Sequence, residues 1–243
     1  MEKNIPTSVS YALQPSYWRY VTMAILVGIA CYVAQVFFTL PDISALRATN
    51  PASTALMDMR AAETQQKGII KRRIQFWVPY EQISPHLKYA VLAAQDATFF
   101  SRKGSDLGKL LNYVDMNGKE KELTNQGGIT LTQQLAKNLY SSSSENQFFK
   151  LREFLIVRQL ETELSKHRIF EIYLNVIEWG DGIWGAEAAA RMYFRTPALK
   201  LNREQAALLA AAITNSRLPA NPSKRLLRRQ QFILERMDNV ELP

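Results

Sequence analysis

The chain has 243 residues, 47% hydrophobic and 21% charged, with only 10 Gly and 10 Pro, which excludes a mostly disordered or collagen-like protein. Two His and one Cys exclude a zinc finger, a His/Cys metal cluster and a disulfide framework. The surplus of 30 Lys+Arg over 22 Asp+Glu, a net charge of +8, favours a polyanionic partner: nucleic acid, anionic lipid or a phosphorylated substrate.

Residues 1–19 read as a short cytoplasmic segment. Tyr20 to Leu40 follows as a run without a charge, with Gln35 its one strongly polar side chain. At ~1.5 Å per residue such a helix spans the ~30 Å hydrocarbon core. Trp18, Arg19 and Tyr20 sit where an interfacial belt belongs, and Pro41-Asp42 stops the helix. A cleaved signal peptide would have an apolar stretch of ~7–15 residues and a small-residue cleavage site. Phe37-Phe38-Thr39-Leu40-Pro41 is a poor one, so a retained single-pass anchor over 20–40 is expected. Lys3 and Arg19 before the span give a weak positive-inside signal for a cytoplasmic N-terminus, which puts the domain on the outer side. The sole Cys, Cys31, lies within the span, and a Cys-free domain is compatible with an oxidising exterior. The basic charge lies beyond the anchor and faces a membrane, which puts phospholipid-linked ligands ahead of nucleic acid.

Residues 41–68 are Ala/Thr/Ser-rich and read as a stalk, with the domain over 69–243. Lys71-Arg72-Arg73 precedes Ile74 to Tyr80, an aromatic segment expected to be extended. From Ser84-Pro85 the pattern is helical, and Tyr89 to Phe100 has few breakers. Leu107, Leu110, Leu111 and Val114 recur at helical spacing, Lys119 to Glu122 reads as a solvated loop, and Gly127-Gly128 opens a helix over Thr130 to Tyr140. After the polar Ser141 to Ser144, a long amphipathic helix is expected over Phe149 to Ser165. Ile169, Ile172, Tyr173, Val176 and Ile177 mark the buried face of the next. Gly180, Gly182 and Gly185 interrupt the chain. Asn202, with Gln205 three residues on, reads as the N-cap of a helix over 206–213. Pro219 and Pro222 precede a basic terminal helix, Lys224 to Met237. The expected architecture is mainly α, one domain on a stalk.

Three segments carry a resemblance. Gly127-Gly128-Ile129-Thr130-Leu131-Thr132-Gln133-Gln134-Leu135-Ala136-Lys137-Asn138 is similar to the GGSTxTQQLxKN box of the monofunctional peptidoglycan glycosyltransferases, lysozyme-like membrane enzymes that polymerise lipid II. Lys166-His167-Arg168-Ile169-Phe170-Glu171-Ile172-Tyr173-Leu174-Asn175, with Gly180 after it, matches that family's KxxIxExYLN…G box throughout. Arg229 to Leu234 is similar to its closing RxxxVL. The resemblance covers roughly residues 50–237 and implies a lysozyme-like glycosyltransferase domain behind a single transmembrane helix. It also implies lipid II or another polyprenyl-pyrophosphate glycan as substrate, the membrane and other cell-wall synthesis proteins as partners, and no nucleic acid. It implies no certain cofactor; a divalent cation accompanying the substrate pyrophosphate is the one left open.

The remaining boxes depart from the family. In place of EDxxFxxHxG the chain has Gln95-Asp96-Ala97-Thr98-Phe99-Phe100-Ser101-Arg102-Lys103-Gly104, so Gln95 stands where the resemblance expects the catalytic glutamate and Arg102 where it expects histidine. Ile129 replaces a serine, and Phe149 the arginine of RKxxE. Chain extension needs a base to take the proton from a sugar hydroxyl as it attacks the donor's anomeric carbon, while the polyprenyl pyrophosphate leaves from the opposite face. A carboxylate can be that base; an amide has no basic site near neutral pH. Losing a positioned base costs ~10²–10⁴ in rate. Asp96 is the obvious substitute, yet on a continuous helix it would point ~100° away from Gln95.

The resemblance therefore assigns Gln95, Asp96 and Glu153 to the catalytic position and Arg102, Thr130, Gln133, Gln134, Lys137, Asn138 and Lys150 to substrate binding. Taken alone, Lys150 and Glu153 at i, i+3 are a minor surface ion pair, and Lys137 a solvated lysine. Three readings stay open. One is an active polymerase with a substitute carboxylate, and one a relative that keeps the fold and lipid-pyrophosphate affinity in a binding or regulatory role. The third, an engineered Glu-to-Gln trap, leaves Arg102, Ile129 and Phe149 unexplained. Residue chemistry favours the second. The basic tail helix is most simply a solvated face, with anionic lipid as the sharper alternative.

Overall fold

The structure, a computed structural model, describes residues 15–68, 72–102, 130–140, 147–213 and 222–243. The chain divides into two compact units after Leu40. The first unit is helix α1 (Pro15–Phe38), of which Tyr17–Phe38 is long and apolar enough to cross a membrane. Ile25, Leu26 and Phe38 are exposed along it. Each would gain about 1.5–3 kcal/mol by leaving water, the burial a hydrocarbon phase supplies.

The second unit runs from Pro41 and includes the segment expected to be a stalk. A 3₁₀ turn at Ser44–Arg47 leads to helix α2 (Ala55–Gln66), whose N-cap Thr54 accepts the Met57 N–H at 3.1 Å. The segment is held down by Arg168, which donates to the carbonyls of Leu46 and Thr49 and to Oδ1 of Asn50, each at 2.8 Å. No residue pattern signals this tether, because most of the acceptors are backbone carbonyls, which every residue carries.

The domain is mainly α, as expected. Helices α3 (Pro85–Gln95), α4 (Leu131–Tyr140), α5 (Gln147–Glu163), α6 (Lys166–Val176), α7 (Ala186–Phe194), α8 (Arg203–Ala212) and α9 (Lys224–Arg236) follow in order. Strands β1 (Ile74–Gln75), β2 (Glu178–Gly180) and β3 (Ile183–Trp184) form a small sheet in the order β1-β3-β2, β1 parallel and β2 antiparallel to β3. The expected extension over Ile74 to Tyr80 is a regular strand only at Ile74–Gln75. The Asn202–Gln205 capping box forms in both directions, at 2.8 and 3.1 Å. The small residues Ala206, Ala207 and Ala210–Ala212 are buried where α8 packs between α3 and α9. The expected elements at Leu107–Val114, Lys119–Glu122, Gly127–Gly128, Ser141–Ser144 and Pro219 lie outside the described residues.

Helix α6 is the centre of the core. Ile169, Phe170 and Ile172 to Val176 are all buried on it, more of its circumference than an amphipathic stripe requires. One face is polar and committed. Asn175, fully buried, donates from Nδ2 to the carbonyls of Val78 and Glu171, both at 2.9 Å, and accepts the Val78 N–H on Oδ1 at 3.0 Å. Every polar atom of the amide is therefore used. Its own carbonyl accepts Gln75 Nε2 at 2.9 Å. Gly185, at φ +82°, passes so close that a Cβ there would lie 2.6 Å from that same carbonyl oxygen, so only glycine fits. Glu171, one turn back, pairs with Arg168 at 2.9 Å and accepts the Trp77 indole N–H at 3.3 Å.

Helix α3 stops at Gln95, five residues short of the Phe100 expected from sequence. Asp96 takes φ −161°, ψ 79° and turns its carboxylate away. Removing the Asn175 amide strands the Val78 backbone in the core, so Asn175→Ala should lower unfolding stability by about 2–4 kcal/mol in denaturant titration, with helix content retained at zero denaturant.

Candidate functional site

The site is built around the start of α4. Its first free N–H groups need acceptors, and two side-chain devices supply them. Thr130 and Gln133 form a reciprocal capping box: the Thr130 N–H donates to Gln133 Oε1 at 2.8 Å, and the Gln133 N–H to Thr130 Oγ1 at 3.2 Å. Asp96, 35 residues earlier, accepts the Leu131 N–H on Oδ2 at 3.1 Å. The same carboxylate, 7% exposed, grips Arg102 with both oxygens, at 2.9 and 3.2 Å. A negative charge at a helix N-terminus that also holds a guanidinium in fork geometry is a strong fixed pair. The ~100° separation of Gln95 and Asp96 expected for one continuous helix does not apply, because the helix has ended. What separates them is the commitment of Asp96 to α4 and Arg102.

Gln95 belongs to a different chain of contacts. The Tyr173 hydroxyl donates to Gln134 Oε1 at 2.8 Å, and Gln134 Nε2 donates to Gln95 Oε1 at 3.2 Å. Tyr173 is completely buried; burial, and behind it the charge of Asp96, push its phenol well above the ordinary tyrosine range, so it stays protonated as a donor. The polarity then runs one way, Tyr173 to Gln134 to Gln95. It ends at Gln95 Nε2, a buried donor without a partner among the described residues. Position 95 is thus presented with an N–H by Gln134 and itself presents an N–H. An amide there can donate, but it cannot take a proton near neutral pH.

A second network lies across α4, α5 and α6. Thr132 donates to Glu161, and Lys166 pairs with the other Glu161 oxygen at 2.6 Å while sitting 4.5 Å from the Phe99 ring centroid. Glu161 and Tyr173 were not singled out by sequence as site residues. The signal for Tyr173 was available: a phenol on a wholly buried helix face needs a partner for its O–H. Glu161 carried none, since an acid in a charged amphipathic helix is normally solvated.

Lys137 and Asn138 lie half-buried one turn along α4 from Gln134, on its side of the helix. Glu153 is half-buried on α5. The side chains of Phe149 and Lys150 lie outside the described residues, as does Ile129. The geometry therefore joins Gln95 to Gln134 and Asp96 to Arg102, and it gives Thr130 and Gln133 a capping duty. Among the described residues no group of three or more His, Cys, Asp or Glu side chains is gathered to hold a metal ion.

A family model described as transglycosylase matches residues 61–238. A biosynthetic peptidoglycan transglycosylase of Chromobacterium violaceum is 42% identical over 217 residues, 88% of this chain and 95% of its own length. The chain belongs to the peptidoglycan transglycosylase family. Among other relatives of the same name, that of Dechloromonas aromatica is 45% identical over 196 residues, 80% of this chain and 84% of its own. That of Methylobacillus flagellatus is 41% identical over 229 residues, 93% and 98% respectively. The family match covers residues 61–238 within the second unit.

Asp96 and Gln95 should respond very differently to truncation in this family member. Asp96→Ala strips a largely buried guanidinium and the α4 N-terminus of their anion and should lower Tm by roughly 5–15 °C. Gln95→Ala removes one neutral bond and a buried unpartnered N–H and should leave Tm within about 2 °C. Differential scanning fluorimetry of the full-length chain in detergent reads both.

Proposed function

We propose that this protein is a membrane-anchored peptidoglycan transglycosylase relative that binds lipid II, or a similar polyprenyl-pyrophosphate glycan, with its polymerase step impaired. It then serves as a substrate-holding or regulatory component of glycan-strand assembly. The observation that carries the reading is the contact at position 95. An amide fixed by Gln134 and Tyr173 occupies the place of the base, and the adjacent carboxylate is engaged by Arg102 and the Leu131 N–H. An acceptor hydroxyl bound there would meet a donor N–H and keep its proton. Lys137 and Lys150 remain to meet the pyrophosphate through charge-assisted contacts, with Gln134 and Asn138 as polar neighbours and Glu153 as the other carboxylate of the site. Arg102, held by Asp96 through two of its five N–H donors, would meet a phosphate with the remaining ones. A divalent cation would accompany the substrate pyrophosphate.

The apolar α1, the relatives' names and the substrate's lipid tail together support an anchor in the cytoplasmic membrane. The N-terminus would then lie in the cytoplasm and the domain on the outer face. In intact spheroplasts, added protease should digest the domain; protection until the membrane is opened would reverse the orientation.

Polymerisation of labelled lipid II, read as glycan length on a gel, tests the chemistry. The unmodified chain should make little or no glycan. Gln95→Glu should raise turnover only slightly, because groups acting as a unit are strongly non-additive. Adding Arg102→His, Ile129→Ser and Phe149→Arg should bring the gain toward the ~10²–10⁴ of a restored general base. Strong polymerisation by the unmodified chain would refute impairment and assign the proton to Glu153 or Asp96.

A further inference from the structure

Helix α9 holds its place in the domain with Leu226 and Ile233, both buried against α8 and α3. That contact leaves a second stripe free. Arg225, Arg228, Arg229, Phe232 and Arg236 fall at i, i+3, i+4, i+7 and i+11, one side of the helix. Arg225, Arg228 and Arg236 are exposed, and Phe232 is 40% exposed in their midst. The Arg236 guanidinium lies 3.8 Å from the Phe232 ring centroid.

None of these four arginines pairs with a carboxylate among the described residues. The acids closest in sequence are engaged elsewhere: Glu235 accepts Gln231 Nε2 at 3.0 Å, and Asp238 holds Arg203 at 2.7 and 2.8 Å. Burial, and then the like charge of Arg225, push the Arg229 guanidinium below its ordinary range. A cluster of cations that repels itself and surrounds an exposed aromatic ring is suited to an anionic surface with an apolar layer beneath it. The helix in the same chain that is apolar enough to cross a membrane makes a bilayer the polyanion this domain meets, at high effective concentration.

We propose that this stripe of α9 docks on anionic phospholipid headgroups. Arg225, Arg228 and Arg236 contact the phosphates, and Phe232 enters the boundary between headgroups and acyl chains. The inference rests on the anchored reading above, not on the loss of the base. It adds a second attachment that fixes how the tethered domain is turned toward the bilayer.

The full-length chain with Cys31→Ser and Gln231→Cys, labelled with a fluorophore on α9, is reconstituted into nanodiscs carrying a headgroup-attached quencher. Bilayers of phosphatidylcholine alone are compared with bilayers containing phosphatidylglycerol. Quenching should rise with phosphatidylglycerol and fall when salt is added. Arg225→Gln/Arg228→Gln/Arg236→Gln should abolish the rise, shifting the docking equilibrium by roughly 10²-fold at about fivefold per cation. Removing equal charge elsewhere, with Lys67→Gln/Arg195→Asn/Lys200→Gln, should leave it in place. Phe232→Ser should weaken docking in both salt conditions. Equal quenching in the two bilayers, or equal losses from the two triple variants, would overturn the docking and leave the anchor standing. A chain that does not insert would overturn the anchor and this proposal together. Little binding of duplex DNA is expected from either chain; DNA binding that the α9 triple variant loses without any loss of quenching would assign the stripe to nucleic acid.

Discussion

The rest of the domain depends on the way Asn175 is held. A buried primary amide with all its polar atoms matched tolerates almost no rotation or shift, because any movement strands a backbone group in the core. Asn175 thereby fixes the rotation of α6 about its own axis. Arg168 and Glu171 lie on the same side and extend the constraint to Trp77 and to the carbonyls at 46–50. Tyr173, two residues before Asn175, points about 200° away around the helix. The side that is stapled to the N-terminal segment is therefore what aims the Tyr173 hydroxyl at Gln134.

From that hydroxyl the polarity of the site is inherited. A phenol kept protonated by burial has a proton to give, and Gln134 turns Oε1 to receive it, which leaves Gln134 Nε2 to donate toward position 95. With a carboxylate at 95 the same N–H would favour the charged form. With Gln95 it meets an amide oxygen and leaves the buried amide N–H without a partner among the described residues. The contacts around position 95 form with an amide there. The supporting contacts come from α4 and α6 and do not need a charge at 95.

Asp96 shows the complementary case. It is the residue that chemistry would enlist first, yet its carboxylate satisfies a helix terminus and a guanidinium at once. Protonating it, or turning it toward a substrate, would break several charge-assisted contacts. The family's first and second boxes, separate in sequence, are thus joined physically through Asp96 and Leu131 on one side and Gln95 and Gln134 on the other.

Sequence alone determined the features that depend on local pattern. These include the apolar length of α1, the mainly helical domain, the Asn202–Gln205 capping box, the buried face of α6 and the motif order that identifies the family. Each is written in residues close together, where periodicity and capping chemistry act. Tertiary structure decided what depends on partners far along the chain. The segment 41–68 folds onto the domain because Arg168 reaches its carbonyls. Helix α3 ends at Gln95 because Asp96 is drawn to α4, and Thr130 and Gln133 serve the helix before any ligand. The direction of hydrogen-bond donation along Tyr173, Gln134 and Gln95 is set by burial and rotamer. No spacing in the sequence encodes the direction of a proton, so only the folded arrangement could supply it.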